Sequence, residues 1–337
     1  MAETIGAVAI GRNEGERLRR CLTSLQGKAA CVVYVDSGST DDSVATARTL
    51  GAVVVALDRD VPFTAARARN AGLARLAQIA PDVALVQFVD GDCEVATAWL
   101  SCGAAALGAD PSLAVVCGRR RERHPEASIY NRLCDMEWNT PVGPTDACGG
   151  DALMRVGPVR ACGGYDETLI AGEEPDLCLR LRQGGWRVLR LDAEMTMHDA
   201  AMTRFGQWWR RTLRAGYAFA EGAARHGGER ERHWVRQTRS NWLWGLLVPS
   251  ALIALAPTTG GFSLAGFSLY LVLAARIYRG RRRYSDGAAD ARLYTVFCLA
   301  GKLPQALGQA LYWWRRLVGG PRRLIEYKVA ETPRART

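Results

Sequence analysis

The sequence lacks several patterns that would assign it at once to a familiar class of protein. None of its ten cysteines forms a C-x-x-C pair, which argues against a zinc site and favours small buried thiols. The loop after the first apolar run has no G-x-G-x-x-G, which argues against a nicotinamide-dependent oxidoreductase. No internal repeat or low-complexity tract is evident. Residues 1–5 form no basic, apolar leader, so we expect reduced thiols and a cytosolic catalytic part.

The positive charge of the chain is concentrated at one end. The 337 residues carry a formal net charge of +10, and residues 276–337 alone contain fourteen Lys or Arg against four Asp or Glu. A basic excess beside apolar segments favours anionic lipid headgroups, whereas a nucleic-acid-binding protein would carry a basic face on its folded domain. We therefore expect a membrane partner and no nucleic acid.

Strand-like and helix-like segments alternate in the first part of the chain. Short apolar runs at Ile5–Ile10, Cys31–Val35, Ala52–Ala56 and Val83–Val89 predict strands, and segments with helical spacing separate them. Alternating units of this kind predict an α/β fold with a mostly parallel sheet and helices on both faces.

The middle of the chain is less regular. A further strand is predicted at Leu113–Cys117, followed by the polar stretch Arg119–Pro125 and a glycine-rich turn at Cys148–Asp151. A helix is predicted to begin near Pro175, because proline is favoured in the first helical turn. This half should form the side of the site that faces the second substrate.

Two apolar stretches mark a change of character near residue 240. Trp242–Ala256 and Phe262–Ala275 are separated by a Pro- and Gly-containing turn, and several arginines follow them. They predict a membrane hairpin, although each falls short of the ~20 residues of a full span, and Leu293–Trp314 predicts a helix lying on the membrane surface. We therefore expect a catalytic domain over residues 1–235 and a membrane-associated helical region with a basic tail over residues 236–337. A helical soluble subdomain is the alternative.

An acidic cluster follows the predicted strand Val83–Val89 directly. Asp90 and Asp92 flank Gly91, and they would lie at the carboxyl edge of the sheet, where open α/β sheets bind ligands. Two carboxylates there could hold a divalent cation that bridges a diphosphate. The cluster predicts a metal–diphosphate site.

Five motifs in order along the chain resemble those of family 2 glycosyltransferases, over about residues 5–215. They are Arg12-Asn13-Glu14, Asp36-Ser37-Gly38-Ser39-Thr40-Asp41, Ala68-Arg69-Asn70-Ala71-Gly72, Asp90-Gly91-Asp92 and Gly172-Glu173-Glu174. The resemblance implies a GT-A fold, transfer of a sugar from a nucleotide-sugar donor, usually with inversion, and Mn²⁺ or Mg²⁺ as cofactor.

The resemblance also implies residues that bind the donor and the metal ion. Asp36 would contact the nucleoside, Arg69 would neutralise phosphate charge, and Asn70 would bond to the donor or to the backbone. Asp90 and Asp92 match the metal-binding D-x-D. The remaining assignments are Arg12, Asn13 and Glu14 in the nucleoside pocket and His198 as a later ligand of the metal or the diphosphate, where an imidazole would favour Mn²⁺.

The same resemblance implies a general base and an acceptor side. Glu174 would take the proton of the acceptor hydroxyl, although the Glu-Glu pair leaves Glu173 as the alternative base. Asp151 falls where relatives shape the acceptor site. Trp208 and Trp209 would stack on a sugar, lie on the membrane surface or pack between domains.

Together these features predict a membrane-associated inverting glycosyltransferase. The acceptor would be lipid-linked or part of a surface polysaccharide, and the enzyme would lie on the inner face of the cytoplasmic membrane. Two alternatives remain: a non-catalytic membrane scaffold, and a sugar nucleotidyltransferase, for which the loop Gly11–Gly15 has few glycines and is acidic. The oligomeric state is left open.

Overall fold

The computed structural model describes residues 3–284 and 287–319, and these form two compact units. Unit 1 contains the described part of Met1–Glu126 together with Glu137–Ala201. Unit 2 contains Ala127–Met136 and the described part of Met202–Val329. The division therefore falls before residue 202, earlier than the boundary predicted at residue 235.

The described strands of unit 1 form one nine-stranded sheet. They are β1 Ile5–Gly11, β2 Cys31–Asp36, β3 Val53–Ala56, β4 Leu85–Asp90, β5 Cys93–Val95, β6 Leu113–Glu122, β7 Gly143–Pro144, β8 Ala152–Arg155 and β9 Arg187–His198. Their order is β3-β2-β1-β4-β8-β6-β9-β5, and β7 pairs with β9 outside this path.

The sheet is mixed, which corrects the predicted mostly parallel arrangement. Strands β3, β2, β1 and β4 are parallel, as their alternation with helices predicted, and β6 also pairs with β9 in parallel. The remaining pairings, β4 with β8, β8 with β6, β9 with β5 and β7 with β9, are antiparallel. The difference arises because β8 enters between β4 and β6 in the opposite direction.

Helices flank this sheet. They are α1 Glu16–Leu25, α2 Ser43–Thr49, α3 Ala65–Ile79, α4 Trp99–Ala109, α6 Val156–Ala161 and α7 Glu173–Gln183. Helix α5 Ile129–Trp138 belongs to unit 2 up to Met136. The four apolar residues of α1 at helical spacing are all buried, as expected for one core-facing stripe. Helix α7 begins two residues before Pro175, because Gly172 takes a left-handed conformation at the N-cap with φ 85°.

Unit 2 is helical in its described part. Its elements are α8 Phe205–His226, α9 Val235–Trp242, a π-helical turn Leu243–Leu247, α10 Val248–Ala254, a 3₁₀ segment Phe262–Ser268, α11 Leu269–Arg281, a 3₁₀ turn Arg282–Tyr284, α12 Ala288–Ala300 and α13 Lys302–Leu317. Helices α8 and α13 pack closely where Gly216 and Gly308 face the backbone of the opposite helix. This packing explains why α8 belongs to unit 2.

The two apolar stretches of unit 2 fold as short helical segments. The Tyr270 hydroxyl donates a hydrogen bond to the Trp244 carbonyl, and Gly266 packs against Leu252, so the stretches contact each other. Within residues 3–284 and 287–319, no helix combines the length and the apolar character that crossing a membrane requires. The end of the predicted basic tail, from residue 320 onward, lies outside the described residues.

Candidate active site

The carboxyl ends of three parallel strands meet at one edge of the sheet in unit 1. In the strand register, Gly11 at the end of β1 pairs with Asp36 of β2, and Ile10 pairs with Asp90 of β4. Gly91 lies against the Ile10 carbonyl, where a Cβ would be 3.1 Å from its oxygen. Asp90 therefore lies at the carboxyl edge of the sheet, as predicted, and the ends of β1 and β2 lie beside it.

The loops that follow β1 and β2 are joined through Asn13. Its backbone N–H donates to Ser39 Oγ at 2.9 Å, and its side-chain oxygen accepts the Thr40 N–H at 2.7 Å. Asn13 takes a left-handed conformation with φ 56°, which asparagine tolerates better than most residues. Arg12 lies over the Phe63 ring at 5.9 Å, and Glu14 pairs with Arg17 at 2.9 Å.

Asp36 is buried at the end of β2. One carboxylate oxygen accepts the backbone N–H groups of Gly38 and Ser39, both at 3.0 Å, and the Tyr34 hydroxyl donates to the other at 3.3 Å. The carboxylate shapes the loop and not the N-terminus of α2, which begins farther on at Ser43. Asp36 therefore fixes the loop that follows β2, and its contact with the nucleoside stays a prediction.

Asp90 is held by two arginines. Arg69 of α3 reaches one carboxylate oxygen at 2.8 Å, and Arg120 of β6 reaches the other at 3.1 Å. Burial raises the pKa of the Asp90 carboxyl, but these two guanidinium groups outweigh it, and the pKa lies below its ordinary value. The other side of the Arg69 guanidinium binds Glu173 at 2.8 Å, which links α3, β4 and α7.

Asn70 holds a neighbouring loop in place. Its side-chain amide donates to the Tyr165 carbonyl at 2.8 Å and to Glu167 at 2.9 Å, and its oxygen accepts the Tyr165 N–H at 2.9 Å. These contacts match the backbone role among the two that were predicted for Asn70. The guanidinium carbon of Arg69 lies 5.5 Å from the centre of the Tyr165 ring. Asn70 therefore helps to position Arg69 through Tyr165.

Asp92 and His198 form a buried pair of potential metal ligands. Asp92 Oδ2 lies 3.3 Å from His198 Nε2, and Glu122 lies 3.4 Å from the other ring nitrogen. The strand register explains this grouping, because His198 on β9 is paired with Glu122 of β6 on one side and with Cys93 of β5 on the other. The Trp138 ring packs against the imidazole at 4.6 Å.

The donor set fits a divalent cation better at Asp92 than at Asp90. Adjacent ligands of an octahedral ion with bonds of about 2.1 Å lie roughly 3 Å apart, close to the separation of Asp92 and His198. A carboxylate oxygen and an imidazole nitrogen suit Mn²⁺. Both oxygens of Asp90 bind arginines, and its role as a direct metal ligand stays a prediction.

Asp151 is completely buried. One oxygen accepts the Asp90 backbone N–H at 2.9 Å, and the other accepts the Thr196 hydroxyl at 2.8 Å and lies 3.4 Å from Arg120 Nε. This carboxylate therefore positions Asp90 and Arg120, and its part in shaping the acceptor site stays a prediction.

Glu174 lies in the first turn of α7 and is 6% exposed. Its Oε1 accepts the Cys148 N–H at 2.6 Å and lies 3.1 Å from the Cys178 sulfur. Burial raises the pKa of Glu174 above the ordinary value, although hydrogen bonds from Cys148 and Cys178 oppose the shift. A raised pKa suits a general base, whereas Glu173 is occupied by its ion pair with Arg69.

Trp208 and Trp209 lie in unit 2, on α8. Trp208 is 4% exposed and packs edge-on against Phe297 of α12 at 5.0 Å, so its ring is not free to stack on a sugar. This position agrees with the packing alternative that was considered for it. Trp209 is partly exposed and remains a predicted acceptor contact.

Two further residues lie in the site although no sequence motif indicated a function for them: Arg120 and Glu122. The polar stretch beginning at Arg119 was separated from the preceding strand, but β6 continues through it to Glu122. The overlooked signal is a period of two, which directs residues 120 and 122 to the same face of the strand.

Comparison with known proteins identifies a family for part of the chain. Residues 8–152 match the profile of Glycosyl transferase family 2. The Pre-mycofactocin glycosyltransferase of Mycobacterium tuberculosis is 30% identical over 233 residues, which is 64% of this chain and 46% of that protein. An uncharacterized glycosyltransferase of Rickettsia conorii is 46% identical over 55 residues, 16% of this chain and 20% of that protein. This chain thus spans less than half the length of these relatives.

A solved structure shares the fold. The mannosyltransferase PcManGT from Pyrobaculum calidifontis, in complex with GDP-Man and Mn²⁺, matches with a TM-score of 0.59 at 19% identity, over 89% of this chain and 88% of that one. The likeness shows a GT-A-like fold, in agreement with the mixed sheet and its flanking helices. Residues 8–152 of this chain therefore match the family 2 glycosyltransferase profile, and the described part of the chain shares the fold of a solved mannosyltransferase.

Proposed function

We propose that this chain transfers a sugar from a nucleotide-sugar donor to an acceptor hydroxyl, with inversion and with Mn²⁺ or Mg²⁺. The observation that carries the proposal is the position of Arg69, which joins Asp90 beside the metal-ligand pair to Glu173 beside the candidate base. The groups needed for leaving-group departure and for acceptor activation therefore lie along one continuous set of contacts in unit 1.

The donor would bind at the carboxyl ends of β1, β2 and β4. The loop held by Asp36 and Asn13 would receive the nucleoside, with Arg12 and Glu14 at its border. Arg69 and Arg120 supply the positive charge that a diphosphate requires. Asp90 would orient both guanidinium groups, because each of its oxygens binds one of them.

Asp92 and His198 would hold the cation, which when bound neutralises negative charge on the departing diphosphate. The Mn²⁺ and GDP-Man present in PcManGT, which has the same fold, make Mn²⁺ the first ion to test. Glu122 would keep the imidazole oriented toward that ion.

Glu174 would accept the proton of the attacking hydroxyl. Burial raises the pKa of Glu174, and the hydrogen bond from the Cys148 N–H to Oε1 fixes the orientation of the carboxylate. Glu173 would act only through Arg69, since it shares a 2.8 Å ion pair with that side chain. We therefore propose Glu174, and not Glu173, as the base.

The acceptor would be lipid-linked or part of a surface polysaccharide, reached from the inner face of the cytoplasmic membrane with the catalytic domain in the cytosol. Support comes from unit 2, where several large apolar side chains are exposed, among them Phe262 at 85%, Leu271 at 72% and Val272 at 69%. Exposed arginines of α11, Arg276 and Arg279, would face lipid phosphates. Confinement to the bilayer would raise the effective concentration of such an acceptor.

A donor-turnover assay tests the proposal. Purified protein with Mn²⁺ is incubated with a panel of nucleotide sugars, and release of the nucleoside diphosphate is measured. Glu174→Gln should lower kcat by about 10²–10⁴-fold while donor affinity is retained, since only proton transfer is lost. Asp92→Asn should abolish the Mn²⁺-dependent part of donor binding.

Asp82→Asn is the matched control for Asp92→Asn, because Asp82 is exposed on the surface and should leave donor binding unchanged. Wild-type turnover by Glu174→Gln would exclude Glu174 as the base. A wild-type protein that is inert toward every donor would support the non-catalytic scaffold instead.

A further inference from the structure

A second group of potential metal ligands surrounds the candidate base. The sulfur of Cys148 lies 3.6 Å from that of Cys178, and the Cys178 sulfur lies 3.1 Å from Glu174 Oε1. None of the three residues is more than 7% exposed. One ligand atom from each lies within 4.8 Å of the other two.

Secondary structure holds two of these ligands on one helix face. Glu174 and Cys178 are four residues apart on α7, so their side chains are neighbours one turn apart. Cys148 approaches from the loop before β8, and its backbone N–H is tied to Glu174 at 2.6 Å. Two of the three potential ligands therefore come from a helix and one from a loop.

The donor atoms select a different kind of ion from the pair at Asp92 and His198. Two sulfurs and one carboxylate oxygen suit a thiophilic cation such as Zn²⁺, whereas Mg²⁺ and Mn²⁺ prefer oxygen. Zn–S bonds of about 2.3 Å place two sulfur ligands of a tetrahedral zinc about 3.8 Å apart. The observed sulfur separation of 3.6 Å is close to this value.

An ordinary cysteine thiol is protonated at neutral pH. A bound dication would supply the charge that makes both thiolates stable in this buried place.

We propose that Cys148, Glu174 and Cys178 form a binding site for a thiophilic divalent cation, for which Zn²⁺ is best suited. Binding exchanges the two thiol protons, which pass to solvent, for two metal–sulfur bonds, and no electron is transferred. The ion also takes Glu174 Oε1 as a ligand, so the carboxylate can no longer accept a proton and the bound ion should inhibit sugar transfer. This inhibition rests on the proposed function, whereas binding of the ion does not.

Cadmium titration of the full-length, metal-free, reduced protein tests the binding. Cd²⁺ reports thiolate coordination through a sulfur-to-metal charge-transfer band in the ultraviolet. We expect this band to saturate at one equivalent in the wild type, and Cys148→Ser or Cys178→Ser should weaken Cd²⁺ binding by at least about 100-fold, more than the loss of an outer-shell partner costs.

Two control variants separate this site from other thiols. Cys102→Ser removes an exposed thiol and should leave the band unchanged. Cys93→Ser removes the thiol that lies beside Asp92 and His198, and it too should leave the band unchanged. A band that survives in both Cys148→Ser and Cys178→Ser, or that disappears in Cys93→Ser, would overturn the proposal. Using two serine variants, each checked by circular dichroism, guards against the misfolding of one of them.

Zinc inhibition at saturating Mn²⁺ tests the consequence for catalysis. Wild-type turnover should fall as Zn²⁺ is added and should not recover with more Mn²⁺, because the two sites are distinct. Cys178→Ser, compared with its own zinc-free rate, should resist this inhibition by at least about tenfold in Zn²⁺ concentration, a milder effect than the loss in direct binding. A cadmium band without zinc inhibition supports the metal site and overturns the withdrawal of Glu174. A protein without turnover but with the band contradicts the proposed function alone.

Discussion

Asp90 and Asp92 have different surroundings although only Gly91 separates them. Asp90 binds two guanidinium groups, and their charge keeps its pKa low despite burial. Asp92 faces the imidazole of His198. Asp90 therefore orients two arginines, whereas Asp92 and His198 lie close enough together to bind one cation.

Glu122 is expected to control metal affinity without touching the metal. It lies 3.4 Å from His198 Nδ1 and accepts the Ala200 N–H at 3.1 Å, with its side chain completely buried. A carboxylate on one ring nitrogen directs the lone pair of the other toward the ion. Glu122→Gln should therefore weaken Mn²⁺ binding by about 10–100-fold.

Tryptophan fluorescence during Mn²⁺ titration measures this change, since Trp138 packs against His198. Glu126→Gln is the control, because Glu126 is exposed and should bind Mn²⁺ as the wild type does. Equal Mn²⁺ affinities for Glu122→Gln and the wild type would show that Glu122 only supports the fold.

The acid limb of activity should report the raised pKa of Glu174. A base must be ionised, so kcat/KM should fall as the pH drops through this pKa, which lies above the ordinary glutamate value of about 4.3. The Cys178 thiol donates to the carboxylate and so stabilises the ionised form. Cys178→Ala removes this donor, and we expect the acid limb to move to higher pH.

The pH profile of kcat/KM for Cys178→Ala, compared with that of Cys102→Ala at the exposed thiol, tests this direction. A shift of the limb to lower pH, or the same limb in both variants, would contradict the assignment of Glu174 as the titrating base.

Some residues of the site could be predicted from the sequence, and others could not. Three aspartates come at or just after the end of an apolar run: Asp36, Asp90 and Asp92. Each short segment was therefore enough to predict that its aspartate lies at the edge of a sheet. Glu122 and Arg120 depend on the pairing of β6 with β9, which joins residues far apart in the sequence. The local period of two places residues 120 and 122 on one face of β6, but it does not identify the strand that pairs with them.

At the scale of elements, close packing between α3 and the sheet places Arg69. Gly72 of α3 lies against Val8 of β1 and Val35 of β2, and it leaves no space for a Cβ. The helix can approach the sheet only because this position is glycine. The same approach brings the Arg69 guanidinium to the ends of β4 and α7.

Gly72→Ala should reduce the free energy of unfolding by about 1–3 kcal/mol, because the added methyl group forces the helix or Val8 to move. Urea unfolding measures the loss. Gly108→Ala, at an open helical position of α4, should be neutral or stabilising by about 0.5–1 kcal/mol. Equal stability of the two variants would contradict the tight contact between α3 and the sheet.

Element directions were predictable only where helices alternate with strands. The parallel direction of β3, β2, β1 and β4 follows from their helical crossover connections, because a crossover returns the chain to the same end of the sheet. Beyond β4 the strands β5, β7 and β8 are short, with two to four residues each, and such segments carry little periodic signal. The antiparallel pairings were therefore missed.

At the scale of the whole molecule, unit 2 combines exposed apolar side chains with exposed arginines. We predict that the full-length protein binds vesicles that contain anionic lipid more strongly than neutral vesicles. Each arginine near the surface contributes about 1 kcal/mol, and raised salt should weaken binding because it screens these charges. Vesicle flotation measures the bound fraction.

Arg279→Glu combined with Arg283→Glu should lower the bound fraction on anionic vesicles, whereas Arg19→Glu, on an exposed position of unit 1, should not. Equal binding of all variants, or a protein that stays unbound with every lipid composition, would contradict the membrane proposal.

The sequence by itself determined the resemblance to family 2 glycosyltransferases, the parallel half of the sheet and the aspartates at its edge. Each of these follows from short segments in which strand, loop and helix signals are adjacent. Only the tertiary structure decided that Arg120 binds Asp90 and Asp151, that His198 lies between Asp92 and Glu122, and that two thiols lie beside Glu174. These groupings depend on strand register and helix packing between distant segments, which local residue patterns do not encode.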